Sequence, residues 1–596
     1  MDTATARRAR FRAYQYGART SSGESVTRNC VSSFHLIVHM QIVFNILILL
    51  LAVAASGLID RLVHVPLPMP LIQILVGAAL AFAPLDLATQ LRLDPEIFML
   101  LVIPPLLFAD GWRIPKREFF MQRRAILMLA LFLVLFTVAG LGYFIHWMIP
   151  QMPLPVAFAL AAVLSPTDAV ALSGIAGPGR IPPHLMHILE GEALMNDASG
   201  LVAFKFAVAA AVTGVFSLRD ATIGFVLIAA GGLLVGAAIA WAVSFVSSRL
   251  SQLPGDGDPA AGALVTLLIP FAAYLFAEHL GLSGILSAVS AGMAMNYAPI
   301  AHVGPLDIRV RTQSAWSLIE FVFNGVAFTL LGMQFPHLIA PVLIDAHHSG
   351  ATDFWTLLSQ LAAVIIVLYA LRFVWVWLLR WFASRRASRQ GVKGAVPGLR
   401  IVVLTTVAGV RGAITLAGVL SLPIALPDGT PLPARELAVF IASSVILASL
   451  AIGLIGLPLL TSGVRRGVDP HAQEERDARV AAADAAIRAI DGELTSLSAG
   501  EDTARAAAAG DVAARLCDAY RHRKARLGEE QAQRQQARLT ESVEVQMRFA
   551  AMRAERMALV RLRGANRIND VTLNKLIREI DLSETALSTR AGKRRL

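Results

Sequence analysis

The sequence predicts an all-α polytopic membrane protein, with about thirteen transmembrane helices followed by a helical tail. Three observations predict it. Apolar runs of about 20 residues, the length a helix needs to cross a bilayer, recur from Met40 to Thr461. Hydrophobic residues make up 56% of the 596-residue chain and charged ones only 16%. Soluble domains carry about a quarter charged residues. Finally, the polar residues collect in short connections and at the two ends. Barrel strands are shorter and alternate apolar with polar residues, which these runs do not.

The expected spans cover 40–63, 69–86, 95–110, 125–148, 154–176, 187–213, 222–247, 262–278, 282–298, 314–335, 355–382, 400–425 and 435–461. Loop charges orient them. Arg113, Lys116, Arg117, Arg123 and Arg124 follow span three, Arg309 and Arg311 follow span nine, and Arg385, Arg386, Arg389 and Lys393 follow span eleven. All are odd-to-even connections, so one topology puts them on one side. The positive-inside rule makes that side cytoplasmic. The loop at 336–354, on the other side, has no Lys or Arg. Residues 1–39 form a polar, Arg-rich extension without the apolar core of a signal peptide. They would lie outside, against the rule, and translation from Met40 is one explanation.

Residues 462–596 are rich in Ala, Arg and Glu, with helical apolar spacing at Leu573, Leu576, Ile577 and Ile580. They predict a cytoplasmic helical tail, with Asn569 or Asp570 capping its last stretch. The transmembrane domain itself is expected over 40–461.

Several function classes are excluded. Cys30 and Cys517 lie at opposite ends and build no disulfide framework. The net charge of +11 is spread over loops and ends, which fits membrane anchoring and not nucleic acid. There is no GxxxxGK[ST] phosphate loop, so ATP hydrolysis is not expected, and no cofactor is implied. His184 with His187, and His347 with His348, lack further ligands for a metal.

Ionisable side chains inside a membrane cost roughly 2.5–3.5 kcal/mol each and default to a functional reading. Span five contains SPTDAVALSG, from Ser165 to Gly174. Pro166 obstructs the helix, and freed carbonyls at mid-membrane survive only where they meet protein or line a cavity. Thr167 and Asp168 follow at once, which suits a dehydrated cation. Span six contains LEGEALMNDASG, from Leu189 to Gly200. Glu192 and Asn196 share a face, as do Glu190 and Asp197. Desolvation favours the neutral form of a carboxylate, so such a group can hold a proton and release it when a cation arrives. Asp197 is the first candidate for that role.

Span twelve contains TTVAGVRGAITLAG, from Thr405 to Gly418. Arg411 keeps its charge and needs a buried carboxylate, for which Glu192 is the candidate. Gly409 and Gly412 suggest a second broken helix. Asp110, ending span three, faces either the same cavity or the interface. Lys205, two turns beyond Asp197, either pairs with a carboxylate or snorkels. Spans one to six and eight to thirteen would form two inverted six-helix repeats, with spans five and twelve as corresponding broken, crossing helices.

These motifs, with Tyr274-Leu-Phe-Ala-Glu278 and Ser283-Gly284, jointly resemble the monovalent cation:proton antiporter-1 family of sodium/proton exchangers, bacterial branch, over about residues 40–461. The resemblance implies a homodimer of thirteen-helix protomers, each with a dimerisation domain and a core that moves like an elevator. It implies that Thr167 and Asp168 occupy the broken helix and that Asn196 and Asp197 form the family's Asn-Asp pair. In that pair Asp197 carries the cation or proton. It implies a structural Glu192–Arg411 ion pair and an accessory acid at Asp110. The Asn-Asp pairing implies electroneutral exchange of Na+ for H+ across the bacterial inner membrane. Exchange of potassium, or a channel or membrane sensor, are the alternatives. One position departs: some relatives carry Ser where this chain has Ala193, and its hydroxyl ligand is lost here.

Overall fold

The structure, a computed structural model, describes residues 44–62, 67–82, 100–177, 180–214, 218–250, 259–295, 306–349, 351–389, 398–461, 470–498, 503–528 and 531–565, with single residues and short pieces from 567 to 584. The N-terminal extension and the expected cap at Asn569 or Asp570 lie outside the described residues. The chain divides into two compact units, one holding the apolar helices and the other the helices that follow Val464.

The first unit is built from helices. They are α1 (Phe44–Leu62), α2 (Met69–Ala81), α3 (Ile103–Arg113), α4 (Lys116–Met148), α5 (Leu154–Leu164), α6 (Ala169–Ala176), α7 (Pro183–Thr213), α8 (Leu218–Leu250), α9 (Pro259–His279), α10 (Gly284–Met295), α11 (Leu306–Ser349), α12 (Ala351–Arg389), α13 (Leu399–Val407), α14 (Ala413–Leu420) and α15 (Arg435–Thr461). Among the described residues, eight helices are long and apolar enough to cross a membrane, or nine if bent α5–α6 counts as one span. The apolar helices α2 and α10 have 13 and 12 residues. At 1.5 Å per residue they fall short of a bilayer's hydrocarbon thickness of about 30 Å.

Local sequence sets the helix starts. α2, α3 and α5 each carry Pro in the first two helical positions, where no amide hydrogen is missed. Asp168 caps α6 through its side chain. The apolar run of span twelve stops as a helix at Leu420, five residues before the expected limit. The chain there turns through a loop closed by the Ala425–Pro431 bridge. Inside α4, residues Met128–Phe132 form a π turn. A π turn leaves carbonyls to outside donors. The Trp375 indole takes that of Met128 at 3.0 Å, and the Ser199 hydroxyl takes that of Ala130 at 2.6 Å.

Two bundles result. Leu141 and Ile145 of α4, Leu160 and Leu164 of α5, Leu368 of α12 and Val445 of α15 share one core. Phe108 of α3, Ala240 of α8, Ala273 of α9, Ala291 of α10 and Trp316 of α11 share another. A third cluster joins Leu194 and Ala198 of α7 and Ala413 and Ala417 of α14 to Leu107 of α3 and Ala327 of α11. The functional side chains lie along this seam.

Lipid gives helices no hydrophobic drive to associate, so close packing through small residues does that work. A Cβ at Gly236 of α8 would stand 1.9 Å from the Ser287 carbonyl oxygen of α10. At Gly77 of α2 it would stand 2.0 Å from that of Thr329 in α11, and at Gly292 of α10 2.1 Å from that of Phe108 in α3. These helices touch backbone to backbone.

In the second unit, α16 (Pro470–Ser498) and α17 (Thr503–Gly528) pack antiparallel, and α18 (Gln531–Gly564) follows. Lys524 meets Asp484 at 2.8 Å, and the Cys517 thiol faces Asp491 at 3.8 Å. Beyond α18, Asp581 and Glu584 both pair with Arg556 at 2.5 Å.

Candidate ion-binding site

The two helix breaks meet. Between α5 and α6 the chain bends by 45° over Ser165–Asp168, where Pro166 cannot donate to the helix. Between α13 and α14, residues 408–412 are non-helical. A backbone bond ties the breaks together, from the Asp168 amide to the Val410 carbonyl at 2.8 Å. The Asp168 carboxylate accepts from the amides of Val170 and Ala171 at 2.8 and 2.9 Å, and the Ala413 amide at the start of α14 acts on it as well. It therefore sits against the N-termini of α6 and α14 together, where helix dipoles favour negative charge. Gly412 permits this: a Cβ there would stand 1.6 Å from Asp168 Oδ2.

A cavity of about 180 Å³ opens beside the two breaks, lined by Asp110, Thr167, Asp168, Asp197, Glu320 and Asn324. At about 30 Å³ per water, that is room for several water molecules or a partly hydrated cation. Asp197 is 7% exposed, and both Asp168 and Asp110 act on it electrostatically. Asn196 is buried, and its side-chain nitrogen donates to the Thr167 hydroxyl at 2.9 Å. Among the described residues, its Oδ1 has no hydrogen-bond partner. A buried acceptor left so costs about 1–3 kcal/mol, and a dehydrated cation is one group that would satisfy it. One turn on, Ser199 fixes α7 to the π turn of α4.

Of the residues singled out in the sequence, Asp110, Thr167, Asp168, Glu190 and Asp197 line this one cavity, as does Ala193. Asn196 adjoins it through Thr167. Lys205 does not line it. Its ammonium pairs with Glu278 of α9 at 2.8 Å, and Glu278 also accepts the Gly284 amide at 3.2 Å. His187 lies 3.4 Å from Glu190, and His184 meets Gln122 at 2.9 Å. Among the described residues, no group of three or more His, Cys, Asp or Glu could hold a resident metal.

The expected Glu192–Arg411 pair is corrected. Both oxygens of buried Glu192 are taken by the guanidinium fork of Arg372 in α12, at 2.5 and 3.0 Å. Arg372 is thus the arginine in ion-pair contact with Glu192, while the charge of Arg411 acts on it from farther off. Arg411 instead donates to the carbonyls of Leu164, at 3.1 Å, and Gly409. These carbonyls stand at the breaks in the α5–α6 and α13–α14 pairs, so Arg411 caps backbone that the interruptions freed. Its guanidinium lies 5.4 Å from the centre of the Tyr369 ring. Arg372, Glu320 and Asn324 were not anticipated. Each is a polar group inside an apolar run, the same signal that marked Asp168, and Glu320 and Asn324 stand four residues apart on one helix face.

Two interrupted helices that meet at a cluster of carboxylates within an apolar helical frame mark a multi-pass membrane protein. The chain belongs to the sodium/hydrogen exchanger family: the family model described as "Sodium/hydrogen exchanger, transmembrane" matches residues 46–462. It is 44% identical over 553 residues to an Escherichia coli K12 protein described as an uncharacterised Na+/H+ exchanger, YjcE, covering 92% of this chain and 99% of that one. It is 43% identical to a sodium, potassium, lithium and rubidium/H+ antiporter of Bacillus pumilus, over 71% of this chain and 62% of that one. The fold is similar to the sodium proton antiporter MjNhaP1 from Methanocaldococcus jannaschii, with a TM-score of 0.53 and 17% identity, over 72% of this chain and 100% of that one.

Proposed function

We propose that the protein is a secondary active antiporter that exchanges Na+ for H+ at Asp197, helped by Asp168, Thr167, Asn196 and Asp110. The observation that carries this reading is the meeting of the Asp110, Asp168 and Asp197 carboxylates in one cavity where two broken helices meet. Like charges in a poorly solvated site are costly, and either a proton or a cation relieves the cost. The two guests therefore compete, and the unoccupied charged site is costly to carry through apolar surroundings. Competition of that kind couples one ion's movement to the other's.

With one aspartate beside a neutral Asn196, exchange is one for one and electroneutral. In this reading about thirteen helices form two inverted six-helix repeats, with the α5–α6 and α13–α14 pairs as corresponding broken helices, and two copies assemble as a homodimer in the bacterial inner membrane. Residues 462–596 lie on the cytoplasmic side, and the exchange serves pH and sodium balance.

Potassium or lithium in place of sodium is the second reading. It is supported by the breadth named for the Bacillus pumilus relative and by Ala193, which offers no hydroxyl to select among cations. Recovery of a pH-dye signal in everted vesicles, after separate additions of sodium, lithium and potassium, separates the two. Asp197→Asn is expected to abolish the response to every cation while the protein remains in the membrane. A full response in that variant rejects the site.

A further inference from the structure

Arg113 and Glu320 form an ion pair between α3 and α11 at the cavity. Their exposures differ. The Arg113 side chain is 59% exposed and that of Glu320 11%, so a fixed, nearly buried acid holds the free end of a long, solvated base. Arg113 stands three residues beyond Asp110 on the same helix, where the two side chains are neighbours, and its charge acts on Asp110. Arg113 therefore has two acids in reach, and only one of them belongs to the group that surrounds Asp197. The other charged groups facing this space are Glu190, Asp168 and Asp197, all acidic. Arg113 is thus the one base among the described residues lining the cavity.

We propose that Glu320 is a positioning residue that draws Arg113 away from Asp110, leaving the Asp110 carboxylate to the entering cation. Without Glu320, Arg113 folds back along α3 onto Asp110. The cavity then loses two negative charges at once, one by removal and one by neutralisation. Glu320 in this account does not touch the transported ion; it sets how strongly the cavity attracts one.

The test is a double-mutant cycle in everted vesicles that reads the half-saturating Na+ concentration and the maximal rate separately. Glu320→Gln in the presence of Arg113 is expected to raise half-saturating Na+ roughly tenfold, the effect of a new close contact between opposite charges at a half-solvated site. The same substitution in an Arg113→Gln background is expected to raise it less than about twofold, since no base remains to fold back. Maximal rates shift less than half-saturation in both cases. An equal rise in the two backgrounds would mean a plain loss of negative charge and would overturn the proposal, as would no rise in either. If Glu320→Gln does not reach the membrane, Glu320→Asp keeps the charge, withdraws it by one methylene and is put through the same comparison.

The inference rests on the cavity being the ion site, and the two fail separately. Exchange that survives Asp197→Asn removes the site. Equal shifts across the cycle remove only the role of Glu320.

Discussion

Replacing Arg372 by Ala removes the guanidinium that holds both oxygens of a buried carboxylate. Glu192 is fully buried, and both its oxygens are held by the Arg372 guanidinium at 2.5 and 3.0 Å. Stranding one member of a buried pair costs about 3–5 kcal/mol. Loss of the Arg372 bond to the Thr405 carbonyl, 3.1 Å long, adds about 1.5–3 kcal/mol. Together these consume much of the roughly 5–15 kcal/mol that holds a folded chain together. The expected result is a sharp fall in membrane-inserted protein and in the melting temperature of the detergent-solubilised exchanger. Most of that cost is charge, so adding Glu192→Gln should restore more than half of the lost melting temperature.

Arg411→Ala is also expected to destabilise, because the Leu164 and Gly409 carbonyls lose a charged donor at about 1.5–3 kcal/mol each. No carboxylate is stranded in that variant, so Glu192→Gln should not rescue it. Size-exclusion melting curves of the two single and two double variants decide the matter. Rescue of Arg411→Ala and not of Arg372→Ala by Glu192→Gln would refute the assignment of partners.

Gly412→Ala drives a methyl against Asp168, since its Cβ would lie 1.6 Å from Oδ2. Vesicle exchange should fall more than tenfold, whereas Gly398→Ala, with nothing among the described residues within 4 Å of its Cβ, serves as a silent control; similar rates in the two would contradict the close approach. Ala193→Ser adds a hydroxyl to the cavity wall. One added hydrogen-bonding ligand is expected to lower half-saturating Na+ about 2–10-fold, and unchanged half-saturation for sodium, lithium and potassium alike would place Ala193 off the ion's path.

The helical membrane architecture was legible because lipid enforces it residue by residue: apolar runs of bilayer length leave few alternatives. Asp168 and Asp197 stood out for the same reason, as charges where charge is costly. What remained hidden was partnership. Glu192 and Arg372 are 180 positions apart, and local spacing cannot say which of two arginines a buried acid will meet. Arg411 lies in a glycine-rich break, and that break gives it other work, since interrupted helices leave carbonyls in want of a donor. Glu320 and Asn324 were overlooked because nothing in α11 interrupts the helix near them. For Lys205 the sequence leaves pairing with a carboxylate and snorkelling open; its partner, Glu278, belongs to a motif that spacing alone ties to nothing.

The glycine contacts of the frame carry a consequence of their own. At Gly77, Gly236 and Gly292 two rods are pressed so close that a single added carbon would wedge them apart along their length. The cavity wall, by contrast, also holds positions such as Ala193 that border free volume. Rigidity and chemistry are thus written in different parts of the chain. A lineage, or an engineer, can retune which ion is favoured at the wall while the frame stays as unforgiving as a machined bearing.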